Sequence, residues 1–291
     1  MERIVDDSSR DARFSSTFPI AVRSVKTGDV ETLERLLQEQ PELATVSSLQ
    51  GRTLLHHLCD FPGHYPRAIE TGSALIASGA DVHARAINSV HGESGLQWAA
   101  SNDDSNLVNL LIDAGAAVNG LNDDLRPLAQ ALWYGFPQVA ETLVKRGATI
   151  NLEFAAGLGR IDLLSAFLDT NRVLLQGAGK HTPPINAAVL AAGQSDELIE
   201  QALTYAVIAG NIEGVKYLLD CGADINAQPS GFDGQATPLH RAVARGNGEM
   251  VRFLISHGAN MEIADRIYGS TALGWAEHLE LPSMIELLRS I

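Results

Sequence analysis

The chain has 291 residues, a formal net charge of −14 at pH 7 and a sequence pI of about 5.0. Nucleic acids and anionic membranes attract surfaces rich in Lys and Arg, so this acidic balance argues against broad binding to either. The hydrophobic share of 45% is ordinary for a folded protein, and the aromatic share of 5% favours many small helices over one large core.

The first segment of the chain, 1–17, is polar and mixed in charge, which indicates a loose N-terminal extension. It lacks the apolar core of a secretory signal, and no later run approaches the roughly 18 apolar residues of a membrane helix. The two cysteines, Cys59 and Cys221, lie far apart in apolar helical patterns, which indicates buried thiols in a reducing compartment. We therefore expect a cytoplasmic protein without membrane association.

A helical pattern begins at Phe18 and recurs as about eight similar units. Each unit has a first helix with a signature leucine, a turn, a second helix and a closing Gly-Ala. In the first unit the two helices are separated at 27–29, and Pro41 ends the second. The signature leucines of the second to eighth units are Leu55, Leu96, Leu128, Leu152, Leu203, Leu239 and Leu273.

Three departures interrupt this repeat. An enlarged loop at 61–66 separates the helices of the second unit, and the turn before Leu152 is missing. A long insertion then occupies 171–195. We expect this insertion to divide the repeat array, 18–291, into two sub-arrays, 18–170 and 196–291.

The seventh unit shows the repeat most clearly. Thr237 is placed to cap the first helix or to exchange a hydrogen bond with His240, and Pro238 suits the first helical position. Leu239 faces inward, and Gly246 is expected to end the helix in a left-handed conformation. One such unit cannot bury its apolar faces alone, so neighbouring units must stack.

These residues carry a resemblance to a known family. The run Thr237-Pro238-Leu239-His240 followed by Ala242 matches the T-P-L-H-x-A signature of ankyrin repeats, which recur at about 33 residues. The sequence resembles the ankyrin-repeat family over nearly all of Phe18 to Ile291. More loosely, GLQWAASNDD at 95–104, the missing turn and the insertion resemble bacterial multi-repeat ankyrin proteins of unassigned role. The resemblance implies an all-α solenoid of helix-turn-helix repeats with short finger turns, and a non-enzymatic protein-protein interaction function.

The concave face is the predicted binding surface, because positions five and six after each signature leucine are expected to point outward there. Exposed Trp and Tyr residues are typical of interface hot spots, so Trp133 and Tyr134, with Phe61 nearby, form the best candidate patch. The alternative is that Trp133 or Tyr134 packs beneath a neighbouring loop or the insertion. The predicted partner-binding residues are Asp60, Phe61, Asn102, Asp103, Trp133, Tyr134, Leu158, Ile208, Arg245 and His278.

Acidic residues in the first half of this face favour a protein or peptide partner with basic residues. Asp60, Asp103 and Asp104 could pair with Lys or Arg, while the aromatic patch could make cation–π contacts. The alternative is an ordinary solvated acidic surface. We expect a monomer that acts as an adaptor, scaffold or inhibitor.

No pattern in the sequence indicates catalysis, a cofactor or a metal site. His56, His57 and Cys59 lie on one predicted helix at spacings of one to three, so they point in different directions, which favours a structural role over metal binding with His64. The sequence also lacks a G-x-S-x-G nucleophile elbow. The alternative function is a small-molecule-binding protein or enzyme that uses the concave groove beneath the 171–195 insertion, and self-association is a third possibility.

Overall fold

In the computed structural model of the chain, the residues described are 11–86, 92–179 and 197–291, without the side chain of Asp233. Within these ranges the chain is helical, and its 16 α-helices form eight consecutive pairs. This part of the chain contains no extended strand, although it has isolated bridges such as Arg85 with Ser94. The predicted all-α class and helix-turn-helix plan are therefore confirmed.

The chain divides into two compact structural units, each of which contains several repeats. From here on, "unit" means one of these two parts, and a single helix pair is called a repeat. The first unit comprises Met1–Ala131 and Gln138–Ala148. Consecutive first helices pack against one another (α1 on α3, α3 on α5), and so do consecutive second helices (α2 on α4, α4 on α6). The helices that lie wholly or mainly in this unit are α1 (Phe18–Thr27), α2 (Val30–Glu39), α3 (Leu54–Cys59), α4 (Ala68–Ala77), α5 (Gly95–Ser101), α6 (Ser105–Asp113), α7 (Arg126–Tyr134) and α8 (Pro137–Lys145).

The second unit comprises Leu132–Pro137, which includes the end of α7, and Thr149–Ile291. Its first helices also pack in sequence, α9 on α11, α11 on α13 and α13 on α15. Its core consists of aliphatic side chains from both helices of each pair. Its helices are α9 (Leu152–Gly157), α10 (Ile161–Leu164), α11 (Leu198–Ile208), α12 (Ile212–Asp220), α13 (Pro238–Ala244), α14 (Gly248–Ser256), α15 (Ala272–His278) and α16 (Pro282–Ser290).

Short 3-10 helices accompany the α-helices at Ala12–Phe14, Pro41–Ala44, Ser165–Phe167 and Asp233–Gln235. None of the helices in the described ranges has both the length and the apolarity that crossing a bilayer requires.

The motif of the seventh repeat forms the contacts that its residue types predict. The Thr237 hydroxyl lies 2.7 Å from His240 Nδ1, and His240 Nε2 lies 3.0 Å from the Ser270 carbonyl oxygen of the next repeat. Pro238 is the first residue of α13, and Gly246 has a left-handed φ of 64°. The motif therefore ties the seventh repeat to the eighth.

A left-handed residue marks the same register position in several repeats, seven residues after the signature leucine. Gly159, Gly210 and Gly246 occupy it with φ values of 69°, 72° and 64°. Asp103 and Glu280 adopt the same conformation with φ values of 56° and 54°. This recurrence supports the alignment of the repeats on their signature leucines. It also shows that Asp103 and Glu280 occupy positions whose backbone conformation favours glycine.

The described part of the insertion, 171–179, packs against the second unit. The Leu152 N–H donates to the Ala178 carbonyl oxygen at 2.9 Å, and Ala178 is buried in the core. The remaining insertion residues, 180–195, lie outside the described residues, as do 1–10 of the predicted N-terminal extension. The division of the array at 171–195 accordingly stays a prediction.

Candidate functional site

The 61–66 loop of the first unit presents an aromatic side chain to solvent. Phe61 is 79% exposed. Gly63 lies so close to the next repeat that a Cβ there would stand 3.1 Å from Asn102 Cβ. Asn102 Nδ2 in turn donates to the Cys59 carbonyl oxygen at 2.8 Å. These contacts hold the loop against its neighbour and leave the Phe61 ring uncovered.

The carboxylates near this loop differ in their availability to a partner. Asp60 accepts a hydrogen bond from Arg52 at 2.8 Å, and both side chains are largely covered. Asp104 is 5% exposed and accepts from the Leu107 N–H at 2.9 Å, which caps α6. Asp103 is exposed. Of the three predicted acidic residues, Asp103 is therefore the one that offers its carboxylate to solvent.

A polar network that we did not predict from the sequence lies beside this surface. The Arg52 guanidinium stands 4.9 Å from the Trp98 ring centroid, and Trp98 Nε1 donates to Glu93 Oε2 at 2.9 Å. Glu93 Oε1 accepts from Arg126 Nη2 and Gln130 Nε2, each at 2.7 Å. The available signal was Trp98 itself, which follows its signature leucine by two positions, as Trp275 does in the last repeat.

In the second unit, the expectation that Trp133 is an exposed anchor is wrong. Trp133 is 8% exposed, and its ring stacks on Phe232 with centroids 5.2 Å apart and planes 10° apart. Tyr205 meets the same Phe232 ring edge-on at 5.4 Å. The covering ring comes from the finger before α13, so the alternative that Trp133 packs beneath a loop is the correct one.

Two arginines of α13 and its C-terminal end join the Trp133 region to the seventh and eighth repeats. The Arg241 guanidinium lies between two indoles, 4.7 Å from the Trp133 centroid and 5.3 Å from that of Trp275. Arg245 donates to the carbonyl oxygens of Trp133 and Tyr134, the latter at 3.0 Å. Since Arg245 satisfies carbonyl groups at the end of α7, part of its hydrogen-bonding capacity serves the fold.

Most of the remaining predicted positions are accessible, with one exception. Ile208 is 8% exposed, and the expectation that it points outward is wrong because α11 packs against α9, α12 and α13. Tyr134 is 40% exposed, Leu158 is partly exposed, and Arg245 and His278 are exposed. The proximity of Phe61 to Tyr134 stays a prediction.

The histidine-cysteine cluster of α3 is part of the core. His56 Nδ1 meets the Thr53 hydroxyl at 2.9 Å, while burial lowers the pKa of His57 to about 3. Cys59 is buried, and burial raises the pKa of its thiol, so the thiol stays protonated and is a weak nucleophile. Across the described ranges, no three His, Cys, Asp or Glu side chains are grouped as metal ligands.

Comparison with known proteins agrees with the helical repeats. The sequence model for ankyrin repeats (3 copies) matches 67–154 and 203–290, more than half of the chain. The chain is 28% identical to a Danio rerio protein named for palmitoyltransferase ZDHHC13, over 76% of this chain and 32% of that protein.

A bacterial relative is an ankyrin repeat-containing protein of Treponema pallidum (strain Nichols), 32% identical over 45% of this chain and 48% of that protein. Ankyrin repeat and SOCS box protein 16 of Homo sapiens is 29% identical over 65% of this chain and 40% of its own length. The matched part thus spans about a third to about half of the length of these three relatives.

Proposed function

The chain belongs to the ankyrin-repeat family, and we propose that it binds a protein or peptide partner and has no catalytic activity of its own. Ankyrin repeats are generally modules for protein-protein interaction. The observation that supports a binding role here is the exposure of Phe61, at 79%, on a loop held by contacts to the next repeat. Because the loop backbone is already held in place, a partner that covers this ring has less backbone entropy to overcome.

We further propose that the partner carries a basic residue beside an apolar one. Asp103 is exposed next to Asn102, which lies against the 61–66 loop. The whole chain has a net charge of −14, which attracts a cationic partner and repels an anionic one. Phe61 would contribute apolar contact, and Asp103 would contribute pairing with Lys or Arg.

Affinity capture from the native host, followed by mass spectrometry, tests this proposal. We expect proteins captured by the wild-type chain to be lost with Phe61→Ala and retained with Leu49→Ala. Leu49 is the matched control because it is an exposed apolar residue of the same unit, at 49%. Circular dichroism checks that both variants are folded. Equal capture by wild type and Phe61→Ala would overturn the role of Phe61.

The charge contribution is tested on a captured partner. Asp103→Asn removes one carboxylate without a change of size, so we expect weaker binding and a smaller loss of affinity between low and high salt. The matched control is Asp81→Asn, which removes another exposed carboxylate of the same unit. Identical salt dependence in wild type and Asp103→Asn would contradict pairing at Asp103.

A further inference from the structure

The second unit contains a half-enclosed pocket of about 280 Å³ at the ends of three consecutive first helices. Its walls include apolar side chains from the ends of α7, α9 and α11 and from the turn that follows α7. This volume lies just below the roughly 300–1,000 Å³ range of small-molecule sites, which suits one side chain better than a whole cofactor. The side chains that form the pocket are Leu132, Phe136, Pro137, Leu158, Ile208 and Asn211.

Beside this pocket the fifth repeat has glycine where its neighbours have large side chains. Gly157 follows its signature leucine by five positions, and the equivalent residues of the adjacent repeats are Trp133 and Ile208. A Cβ on Gly157 would stand 3.1 Å from Leu132 Cδ1. Leu132 therefore packs closely over Gly157, and the fifth repeat contributes Leu158 to the wall of the pocket.

The polar residue of the pocket wall serves the fold. Asn211 uses Oδ1 to accept from the Gly214 N–H at 3.1 Å, which caps α12. Its Nδ2 is buried and closed to solvent, so the accessible surface of the pocket is mainly apolar.

The charge at the edge of the pocket narrows the choice of occupant. Arg245 Nη1 lies 3.2 Å from the place a Cβ on Gly135 would take, and Gly135 lines the pocket. Arg245 is exposed, so its guanidinium can reach a carboxylate while it retains its bonds to the end of α7. Tyr134, 40% exposed, stacks near Phe136 on the same side.

We propose that this pocket receives one bulky apolar side chain of a partner peptide, with an adjacent carboxylate paired to Arg245. The inference rests on the proposed function for the peptide nature of the occupant. It assigns a second contact region, with the opposite charge preference to that of Phe61 and Asp103.

Methyl NMR on the full chain, with labelled Ile and Leu residues, tests the pocket without any protein partner. The probe is N-acetyl-L-phenylalanine, which carries a ring, a carbonyl and a carboxylate; its amide and N-acetylglycine are the comparison compounds. We expect saturable shifts at the methyl groups of Ile208 and Leu158 with the phenylalanine probe. The amide should bind up to about fivefold more weakly, because exposed charge pairs contribute at most about 1 kcal/mol.

Variants separate the pocket from unspecific binding. Ala209→Phe should fill the pocket from its exposed edge and abolish the shifts, whereas Ala117→Phe, at an exposed alanine of the first unit, should leave them unchanged. Arg245→Gln should remove the preference for the acid over the amide. Shifts that persist in Ala209→Phe, or that N-acetylglycine reproduces, would overturn the pocket.

The probe and capture experiments distinguish a failure of the pocket from a failure of the proposed function. Probe binding together with a failure to capture any partner would overturn the proposed function and leave the pocket in place, while capture that does not depend on Phe61 would overturn only the role of Phe61. Partner capture that depends on Phe61, without probe binding, would overturn the pocket alone.

Discussion

The signature histidines show how one residue type serves two repeats. His240 contacts Thr237 within its own helix start and the Ser270 carbonyl oxygen in the next finger. His56 makes the equivalent contacts with Thr53 and with the Glu93 carbonyl oxygen at 3.0 Å. Burial lowers the pKa of both histidines, so these rings work as neutral groups in the folded chain. The T-x-x-H spacing was enough to predict the first contact of each pair.

His57 gives a pH dependence with a definite sign. Its pKa falls on folding from 6.5 to about 3, chiefly because the ring is buried. As the pH falls, this residue is therefore protonated in the unfolded chain before it is protonated in the folded chain. Stability from this residue is complete above pH 6.5 and is lost as the pH falls. Between pH 6.5 and 5 the loss should be about 2 kcal/mol.

Urea denaturation at pH 7 and pH 5 measures this effect. We expect the free energy of unfolding to fall by about 2 kcal/mol more in wild type than in His57→Gln, which has no titrating group at this position. His56 and His240 remain in both proteins, so their contributions to the pH dependence of the free energy of unfolding cancel in the comparison. An equal fall in both proteins would contradict a neutral, buried His57.

The signature leucine is buried to different extents in different repeats, so its contribution to the free energy of unfolding should differ as well. Leu239 is 1% exposed, whereas Leu273, at the same position in the eighth repeat, is partly exposed. We expect Leu239→Ala to lower the free energy of unfolding by about 2–5 kcal/mol, and Leu273→Ala to lower it by less. Chemical denaturation of both variants measures the difference. A larger effect at Leu273 would contradict the packing register.

At the scale of elements, the helices are too short to be stable alone, since isolated helices below about 12–15 residues are marginal in water. Capping and packing between repeats therefore stabilise them. Asp104, Asn211 and Asn247 all accept a backbone N–H at the start of a second helix. Each of these caps directly follows the left-handed residue of its repeat, so the turn and the cap form one continuous motif.

Asn247 tests the contribution of such a cap. Its Oδ1 accepts from the Met250 N–H at 3.0 Å, and Asn247→Ala removes this bond. We expect a loss of about 1 kcal/mol in the free energy of unfolding. Asn247→Asp is the control, because aspartate caps a helix about as well as asparagine. Equal destabilisation by Ala and Asp would show that the effect is not due to capping.

The elements could be predicted from the sequence much better than the candidate site. Helix starts, turns and the core face follow from local spacing, which is why Pro238 and Gly246 were placed correctly. The burial of Trp133 depends on Phe232 and Arg241, which reach it from repeats far along the chain. Periodicity shows on which face of its helix a side chain lies, but it does not show which residues from distant repeats pack against that face. The same limit hid the pocket next to Gly157.

At the scale of the whole molecule, repeat proteins unfold as chains of neighbouring contacts, so a local change should weaken its own surroundings most. Leu33 is fully buried in the first unit, and Leu254 is fully buried in the second. Hydrogen exchange with mass spectrometry can follow each unit separately.

We expect Leu254→Ala to accelerate amide exchange mainly in the second unit, and Leu33→Ala to do so mainly in the first. The two variants are matched controls, since each removes a buried leucine of a second helix. Uniform acceleration throughout the chain in both variants would mean that the two units unfold as one.

The left-handed backbone at Asp103 implies a trade-off between stability and binding. Asp103 occupies a conformation that glycine adopts without strain, and an L-residue there is less stable by roughly 1–2 kcal/mol, offset in part by the entropy of glycine. Asp103→Gly should therefore leave the free energy of unfolding unchanged or raise it by up to about 1 kcal/mol, while weakening partner binding. Denaturation and binding measured on the same variant check both halves. A chain that becomes less stable and binds equally well would show that the aspartate serves the turn and not the partner.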